Sequence, residues 1–422
     1  MIDIKLIRDD PERFKKAAKD KKIEVDIDRL LQVDTGLLTA KQRLQEIATE
    51  KNRVGKSIPK LTGDEKQQAL AELAKLKAEE PPVDEKVEQL QPEFDFLMLL
   101  VAQPADDDVP LGKDDTENVE LRREGQVRKF DFKPKDHVQL GADLGIIDIE
   151  RGVRLAGTRN YFLKGDGARL HLAVLQFSMD VMLARGYTPM SVPLLMKDEA
   201  MQGTGYYPGS EEQTYRMETD ELNLAGTAEV PLTAYRMGEI LNEEDLPLKF
   251  TGLSTCFRRE AGAAGKDTYG LYRIHQFDKV EQVVICKNSV EESNKYHKEI
   301  LSNSEVVLRA LELPYRVVVV CTGDLGRGQA KKYDIETWMP SRGNYCETHS
   351  ASKFYDFQAR RMNLRYKESA TKKNIFCHTL NNTVVASPRI LIPILELYQN
   401  ADGSVTVPKV LQPYMGGQEV IK

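Results

Sequence analysis

The sequence predicts an α+β protein with an N-terminal antiparallel helical hairpin, and three observations carry that prediction. Apolar residues recur at near-heptad spacing in two runs between Leu37 and Leu97, separated by a break at Pro59–Gly63. From about residue 126 onward, short extended runs mix with helical ones, the texture of an α+β chain. Residues 251–281 read as a β-hairpin, two extended runs flanking a loop, Ala261 to Gly270, that carries three glycines.

Length and composition set the bounds. The 422 residues suffice for two or three domains and a large core. With 30% charged and 41% hydrophobic residues the chain reads as globular and soluble. A net charge of -6 gives no global attraction to nucleic acid or to anionic membranes, so any such contact needs a local patch. The five cysteines are scattered, with no CxxC pair, which argues against a disulfide framework and for a reducing compartment. The first ten residues lack a signal-peptide core, and no apolar run approaches the ~20 residues of a membrane span. The expected location is cytoplasmic, with no membrane partner.

Residues 1–33 are expected to form one or two short helices, because Asp10-Pro11-Glu12 supplies an N-cap, a proline at the first helical position and an early acid. The first long helix carries Leu37, Leu44, Ile47, Val54 and Ile58, and the second carries Leu70, Leu73, Leu76, Val83, Val87, Leu90, Phe94 and Leu97. Near the tip of the first stand Lys41, Arg43, Lys51, Arg53, Lys56 and Lys60 against Glu46 and Glu50, a local charge of about +4. Such a finger suits a nucleic-acid backbone, and a solvated coiled-coil face would look the same. Pro81, Pro82 and Pro92 should break the returning helix into pieces. Domain boundaries follow as an arm over 1–103, an acidic, proline-marked linker over 104–125 and an α+β domain over 126–422. Within that domain helices are expected at about 167–185 and 289–311, and a strand from Tyr315 to Cys321.

In the hairpin, alternation puts Arg258 and Glu260 on one face of the first strand. It puts Arg273, His275, Phe277, Lys279 and Glu281 on one face of the second, about 6.6 Å between successive members. Two arginines, a ring and carboxylates on one face suit an aromatic base, a polyphosphate and an ammonium group. The outer face of a solvated sheet would alternate in the same way.

Four further clusters stand out. In Gly226-Thr227-Ala228-Glu229 an extended backbone puts Thr227 and Glu229 on one face, and a turn entering a helix fits equally well. Tyr333-Asp334-Ile335-Glu336-Thr337-Trp338 is the second. Glu347-Thr348-His349-Ser350 offers a carboxylate and a hydroxyl three residues apart, suited to a hard cation beside phosphate oxygens. In Asn381-Asn382-Thr383-Val384-Val385-Ala386-Ser387-Pro388-Arg389, Ser387 reads as an N-cap and Pro388 as the first helical residue. Arg389 would then lie at a helix N-terminus, or at an exposed strand-to-helix corner. No HExxH, CxxC, GxSxG, GxxxxGK[ST] or GxGxxG string occurs, which argues against zinc and against the common glycine-loop nucleotide sites.

Taken in order, Pro193, Phe257-Arg258-Arg259-Glu260 with its loop to Arg273 and Phe277, and Ala386-Ser387-Pro388-Arg389 resemble the three signature motifs of class II aminoacyl-tRNA synthetases. The strings Thr227-Ala228-Glu229, Phe257 to Gly265, Arg273 to Phe277, Phe357-Gln358-Ala359-Arg360-Arg361 and His378-Thr379-Leu380-Asn381 resemble those of bacterial-type seryl-tRNA synthetases, and the likeness spans nearly the whole chain. This implies an antiparallel catalytic sheet flanked by helices, ATP and L-serine as substrates, Mg2+ and a homodimer joined near Pro193. The implied acceptor is tRNA(Ser), with tRNA(Sec) as a second candidate.

The same resemblance implies the site residues. Arg258, Arg273 and Arg389 would be catalytic. Arg259, Glu260, Ile274, Phe277, Glu347, Thr348, His349 and Ser350 would join them around ATP, and Glu347 with Ser350 would hold Mg2+. Thr227, Ala228, Glu229, Arg258, Glu281, Asn381 and Thr383 would surround serine. Lys41, Arg43, Lys51, Arg53 and Lys56 would meet tRNA. Departures from the family pattern are Asn382-Thr383 in place of Gly-Ser, Lys353 in place of asparagine, and Pro393, which should kink the helix it sits in. A carrier-protein paralogue would lack the long arm. A non-catalytic RNA-binding relative would lack some of Arg258, Arg273, Phe277, Glu347 and Arg389, and all five are present.

Overall fold

Heptad-spaced side chains build the first of two compact units, Ile2–Ala102; the second comprises Gln103–Lys422 together with Met1. The structure, a computed structural model, describes residues 1–262, 267 and 269–422. Ala263, Ala264 and Gly265 of the hairpin loop therefore lie outside the described residues.

The arm begins with two short helices, α1 (Ile4–Asp9) and α2 (Pro11–Asp20), the second capped by Asp10 with Pro11 at its first position. Two long helices follow, α3 (Ile27–Ser57) and α4 (Gly63–Leu100). On α3 the buried positions Leu30, Val33, Leu37, Ala40, Ile47 and Val54 follow the 3-4 spacing that faces a partner helix. The expected breaks in the returning helix do not occur, for α4 runs unbroken through Pro81, Pro82 and Pro92. All three prolines lie on the exposed side. The carbonyls they leave unpaired can therefore be hydrated, while the opposite side of the helix is held by α3. Bridges between the helices join Arg29 to Glu93, Arg43 to Glu79, Lys51 to Glu80 and Arg53 to Glu72.

The second unit is built on an eight-stranded sheet. In chain order its strands are β1 (Val119–Glu124), β2 (Thr188–Pro189), β3 (Leu248–Phe257), β4 (Gln276–Cys286), β5 (Tyr315–Val319), β6 (Lys331–Met339), β7 (Asn344–Tyr355) and β8 (His378–Ser387). The spatial order is β1-β5-β6-β7-β8-β4-β3-β2. All neighbours are antiparallel except the short edge strand β2, which runs parallel to β3. Helices α5 (Asp166–Ala184), α6 (Glu229–Ala234), α7 (Val290–Ala310) and α8 (Leu391–Tyr398) belong to the same unit. A large core joins Leu170, Val174, Val280, Val284, Val384 and Leu395. A second apolar cluster gathers Leu232, Phe250, Val283 and Ile285. Among the described residues no helix is long and apolar enough to cross a membrane.

The stretch 104–125, read from sequence as a linker, is instead pinned to the sheet. Two of its acids are partners of lysines: Asp106 lies 2.6 Å from the Nζ of Lys353, which is 1% exposed, and Asp108 pairs with Lys331. Residues 119–124 then form the edge strand β1 against β5. Nearly every side chain of β1 is exposed, so the strand lacks the inside-outside alternation by which sequence reveals one.

Two expectations at the end of β8 also change. Ser387 is the last residue of the strand, not an N-cap; its Oγ lies 2.8 Å from His171 Nδ1, and α8 begins four residues later. Pro393 is the third residue of α8 and sits inside an N–H ladder that starts before the helix, the N–H groups of Leu391, Ile392 and Ile394 donating to the carbonyls of Pro388, Arg389 and Ile390. The helix nevertheless continues past the proline to Tyr398.

Candidate active site

The hairpin, β8 and the β6–β7 pair converge on a cavity of about 210 Å³. Strand β3 ends at Phe257 and β4 starts at Gln276, so strict alternation governs only part of the expected face. On β4 it holds: Phe277, Lys279 and Glu281 all line the cavity, as do Arg258, Glu260 and Ile274 from the loop. Arg273 and Arg259 are not among the lining residues. Arg273 is turned toward Glu260, with Nη1 2.7 Å from Oε2, and the backbone N–H of Arg259 donates to the carbonyl of Gln213.

A β-bulge decides which residues of β8 join them. Between Val280 and Glu281 the β4–β8 register shifts, so that Glu281 faces Thr383 instead of Val384. Asn381 and Thr383 line the cavity, whereas Asn382 points the other way, its Nδ2 donating to Ser304 Oγ at 2.8 Å on α7. A second bulge, between Ile335 and Glu336, breaks the β6–β7 ladder opposite Thr348. Glu347, Thr348, His349 and Ser350 all reach the cavity wall.

One end is cationic and aromatic. The guanidinium of Arg258 lies 5.2 Å from the centre of the Phe277 ring, and its Nε donates to the carbonyl of Gly226 at 3.3 Å. Arg389 stacks 4.4 Å over Tyr272 and donates to the carbonyls of Tyr272 and Glu347, both at 3.1 Å. Burial pushes the Glu347 carboxyl up, but the charges of Arg389, Lys332, Arg258 and Arg273 outweigh it and hold the group below its ordinary range. Glu347 thus stays ionised.

The other end is acidic and closely held. Glu281 is 2% exposed and ion-paired with Lys279. Thr227 does not line the cavity; its Oγ1 donates to Glu281 Oε2 at 3.4 Å and accepts from the Glu229 N–H at 3.1 Å. Locally, the turn entering a helix is the structure adopted, since α6 starts at Glu229, and Ala228 is buried in the core beneath it. Glu229 accepts from Tyr206 Oη at 3.0 Å and from Gln358 Nε2 at 2.9 Å. Burial first, then the neighbouring Glu281 charge, pushes its carboxyl up to about 7. Asn381 Nδ2 is buried without a hydrogen-bond partner among the described residues, as a group awaiting a ligand would be.

Sequence reasoning missed Tyr206, Leu271, Tyr272, Gln329, Ser352 and Ala386, which also line the cavity. Lys279, on the hairpin face that alternation predicts, joins them. Tyr206 and Gln329 come from loops far from any motif string, so only the fold could supply them. The arm residues Lys41, Arg43, Lys51 and Arg53 each have a partner on α4 (Gln91, Glu79, Glu80 and Glu72), while Lys56 is exposed near the tip.

Among the described residues no group of three His, Cys, Asp or Glu side chains is arranged to hold a metal. Glu347 and Ser350 supply two oxygens to the cavity wall. A cation that keeps its waters and leans on substrate phosphates suits such a pair, which is the habit of Mg2+.

Comparison with known proteins agrees along the whole chain. Residues 1–102 match the seryl-tRNA synthetase N-terminal domain, and residues 213–398 match the tRNA synthetase class II core domain (G, H, P, S and T). The serine–tRNA ligase of Deinococcus radiodurans is 48% identical, covering 100% of this chain and 99% of that protein. That of Fervidobacterium nodosum is 42% identical at the same coverage. Among solved structures, seryl-tRNA synthetase from Pyrococcus horikoshii complexed with ATP superposes with a TM-score of 0.93 at 36% identity, over 100% of this chain and 99% of that one. The cytoplasmic serine–tRNA ligase of Naegleria fowleri in complex with AMP gives 0.89 at 32% identity, at the same coverage. On this evidence the chain belongs to the seryl-tRNA synthetase family, the serine–tRNA ligases of the class II fold.

Proposed function

We propose that the cavity activates L-serine with ATP, and that the seryl group then passes to the 3′-terminal ribose of tRNA(Ser). The observation that carries this reading is the meeting in one small cavity of the buried carboxylates Glu229 and Glu281 with Arg258, Arg389 and Phe277. Two close carboxylates share a single lysine, Lys279, which leaves one negative charge for a second cation, and serine's ammonium supplies it. The arginines and the ring ask for phosphates and a base, in keeping with the nucleotides named for the related structures.

In this reading Phe277 stacks on the adenine with Arg389 beside it, and Arg258 binds both the α-phosphate and the serine carboxylate. Glu260, Ile274, Thr348 and His349 line the nucleotide half. Arg259 and Arg273 act from outside the cavity wall, and Arg273 must exchange Glu260 for the β- and γ-phosphates. Glu347 and Ser350 would hold Mg2+, whose charge offsets that of the phosphates. The serine carboxylate oxygen attacks the α-phosphorus, the bond to the β-phosphate oxygen breaks, and pyrophosphate leaves. The ribose hydroxyl then takes the seryl group and AMP departs. Catalysis is positioning and charge stabilisation, with no covalent enzyme intermediate. Glu281 and Thr383 receive the serine hydroxyl, so alanine leaves polar groups unpaired and threonine lacks room.

Residues 1–103 serve as the tRNA-binding arm, with Lys56 and its neighbours Lys41, Arg43, Lys51 and Arg53 on the phosphate backbone. tRNA(Sec) is a second candidate acceptor. The enzyme works as a cytoplasmic homodimer. The test is pyrophosphate exchange into ATP with each of the twenty amino acids. Serine alone should support it, and exchange driven by another amino acid, or by none, overturns the reading.

A further inference from the structure

On the face of the sheet away from the cavity, α5 presents one buried side chain, His171, to the rung where β8 ends. Its Nδ1 lies 2.8 Å from Ser387 Oγ and its Nε2 lies 3.0 Å from Asp278 Oδ2. Asp278 and Ser387 are direct partners across the β4–β8 ladder. Asp278 Oδ1 also accepts a 2.7 Å bond from Thr255 on β3. One imidazole therefore ties α5 to a cross-strand pair whose third support is the next strand. A neutral ring satisfies both contacts, Nε2–H donating to the carboxylate and Nδ1 accepting from the hydroxyl. Serine, histidine and aspartate in a chain suggest a nucleophile relay, but Ser387 is 0% exposed and no substrate carbonyl can reach it.

What the clamp holds is legible from the register. The residues flanking this rung, Phe277 and Lys279 on β4 and Ala386 on β8, turn to the other face and line the cavity. Immediately after Ser387 the chain leaves the sheet, and two residues later Arg389 must reach back to the Tyr272 ring and the Glu347 carbonyl. The acidic end lies deeper in the same ladder, at Glu281 opposite Thr383, beyond the bulge and away from the end of β8. Loosening the last rung thus disturbs Phe277 and Arg389 first.

We infer that His171 is a positioning residue for the nucleotide half of the site, acting through Asp278 and Ser387 without touching substrate. The inference rests on the proposed reading of which end of the cavity receives ATP. The test compares His171→Leu, which fills the space without hydrogen bonds, with His171→Gln, which keeps a donor and an acceptor. The measurements are pyrophosphate exchange and calorimetric titration with ATP alone. For His171→Leu, two lost hydrogen bonds and a carboxylate held by Thr255 alone should raise the KM and the Kd for ATP about tenfold, with the KM for serine changed less than about twofold. His171→Gln should return most of the ATP affinity. If His171→Leu does not fold, Ser387→Ala carries the test, with a smaller rise confined to ATP. Unchanged ATP binding, or equal rises for ATP and serine, overturns the inference while serine-dependent exchange by the unaltered enzyme leaves the functional reading standing. An unaltered enzyme that shows no serine-dependent exchange overturns both.

Discussion

Gln358 Nε2 donates a 2.9 Å hydrogen bond to Glu229 Oε1, and Thr379 Oγ1 in turn donates to Gln358 Oε1 at 2.6 Å. With Tyr206 on the other carboxylate oxygen, Glu229 has both oxygens fixed in a buried site beside a second carboxylate. The group is thereby oriented but short of a counter-charge, and a bound ammonium would supply it.

A pH dependence follows. The Glu229 carboxyl is pushed up to about 7, above its ordinary value, so in the free enzyme the protonated form is favoured below that pH. Its contribution to stability is therefore present at low pH and falls as pH rises toward about 7. Ammonium binding has the opposite sense, because it needs the ionised form. The KM for serine should fall as pH rises from about 6 to about 8, and Glu229→Gln should flatten that slope. Exchange assays across this range decide it, and an unchanged slope in Glu229→Gln removes Glu229 from ammonium recognition. Asp334, whose carboxyl burial also pushes up, stands opposite Ser350, so it belongs to the background both enzymes share.

Removing Glu281 should be more severe. Glu281→Ala should lose serine-dependent exchange by well over about tenfold, since the polar pocket loses its central acceptor. It also strips the buried Lys279 of its partner, a change that costs about 3–5 kcal/mol of stability in comparable pairs. Glu281→Gln keeps the volume and separates the two effects when melting curves accompany the assay. Near-normal exchange in Glu281→Ala would take the residue out of the pocket.

The arm offers a cleaner dissection. Gly36 faces Leu90, with a Cβ built at Gly36 coming within 3.1 Å of the leucine side chain. Joining the chain there with a short turn, in place of the residues between them, should abolish tRNA charging. Adenylate formation, read as exchange, should persist. In the intact enzyme Lys56→Ala should weaken tRNA binding and reduce the dependence of affinity on salt by about one counterion. Charging that survives the truncation would show that the arm is not the tRNA-binding element.

Asp106 should be worth far more than an acidic residue in a loop. Asp106→Ala leaves the ammonium of Lys353 buried, with the neutral Asn294 and Tyr355 as its partners among the described residues, and should destabilise the enzyme by about 3–5 kcal/mol. Asp107→Ala, at an exposed neighbour, should fall within about 0.5 kcal/mol of the unaltered enzyme. Urea denaturation of the two variants makes the comparison, and equal midpoints would deny the buried pair its role.

Much of the site was readable because its residues come in short strings. Arg258 with Glu260, Phe277 with Glu281, and Glu347 with Ser350 sit at spacings a strand or tight loop preserves, and all six line the cavity. The errors have a common origin. Ser387 looked like a cap because serine before proline is a good helix start, yet its hydroxyl had a better partner in His171, 216 positions away. Pro81, Pro82 and Pro92 looked like breaks because the rule for isolated helices ignores what a packed partner and a hydrated face can offset.

By itself, then, the sequence determined the heptad arm, the strand pairing of the hairpin and the inventory of charged and aromatic groups. These depend on spacing along a few turns or rungs, which the chain carries locally. The tertiary structure alone decided which members of that inventory meet. Two bulges turned Glu281 toward Thr383 and let Thr348 reach the cavity, distant loops brought in Tyr206 and Gln329, and Arg273 and Thr227 were left behind the wall. Those outcomes depend on register and on contacts between residues far apart in the chain, and no local pattern encodes either.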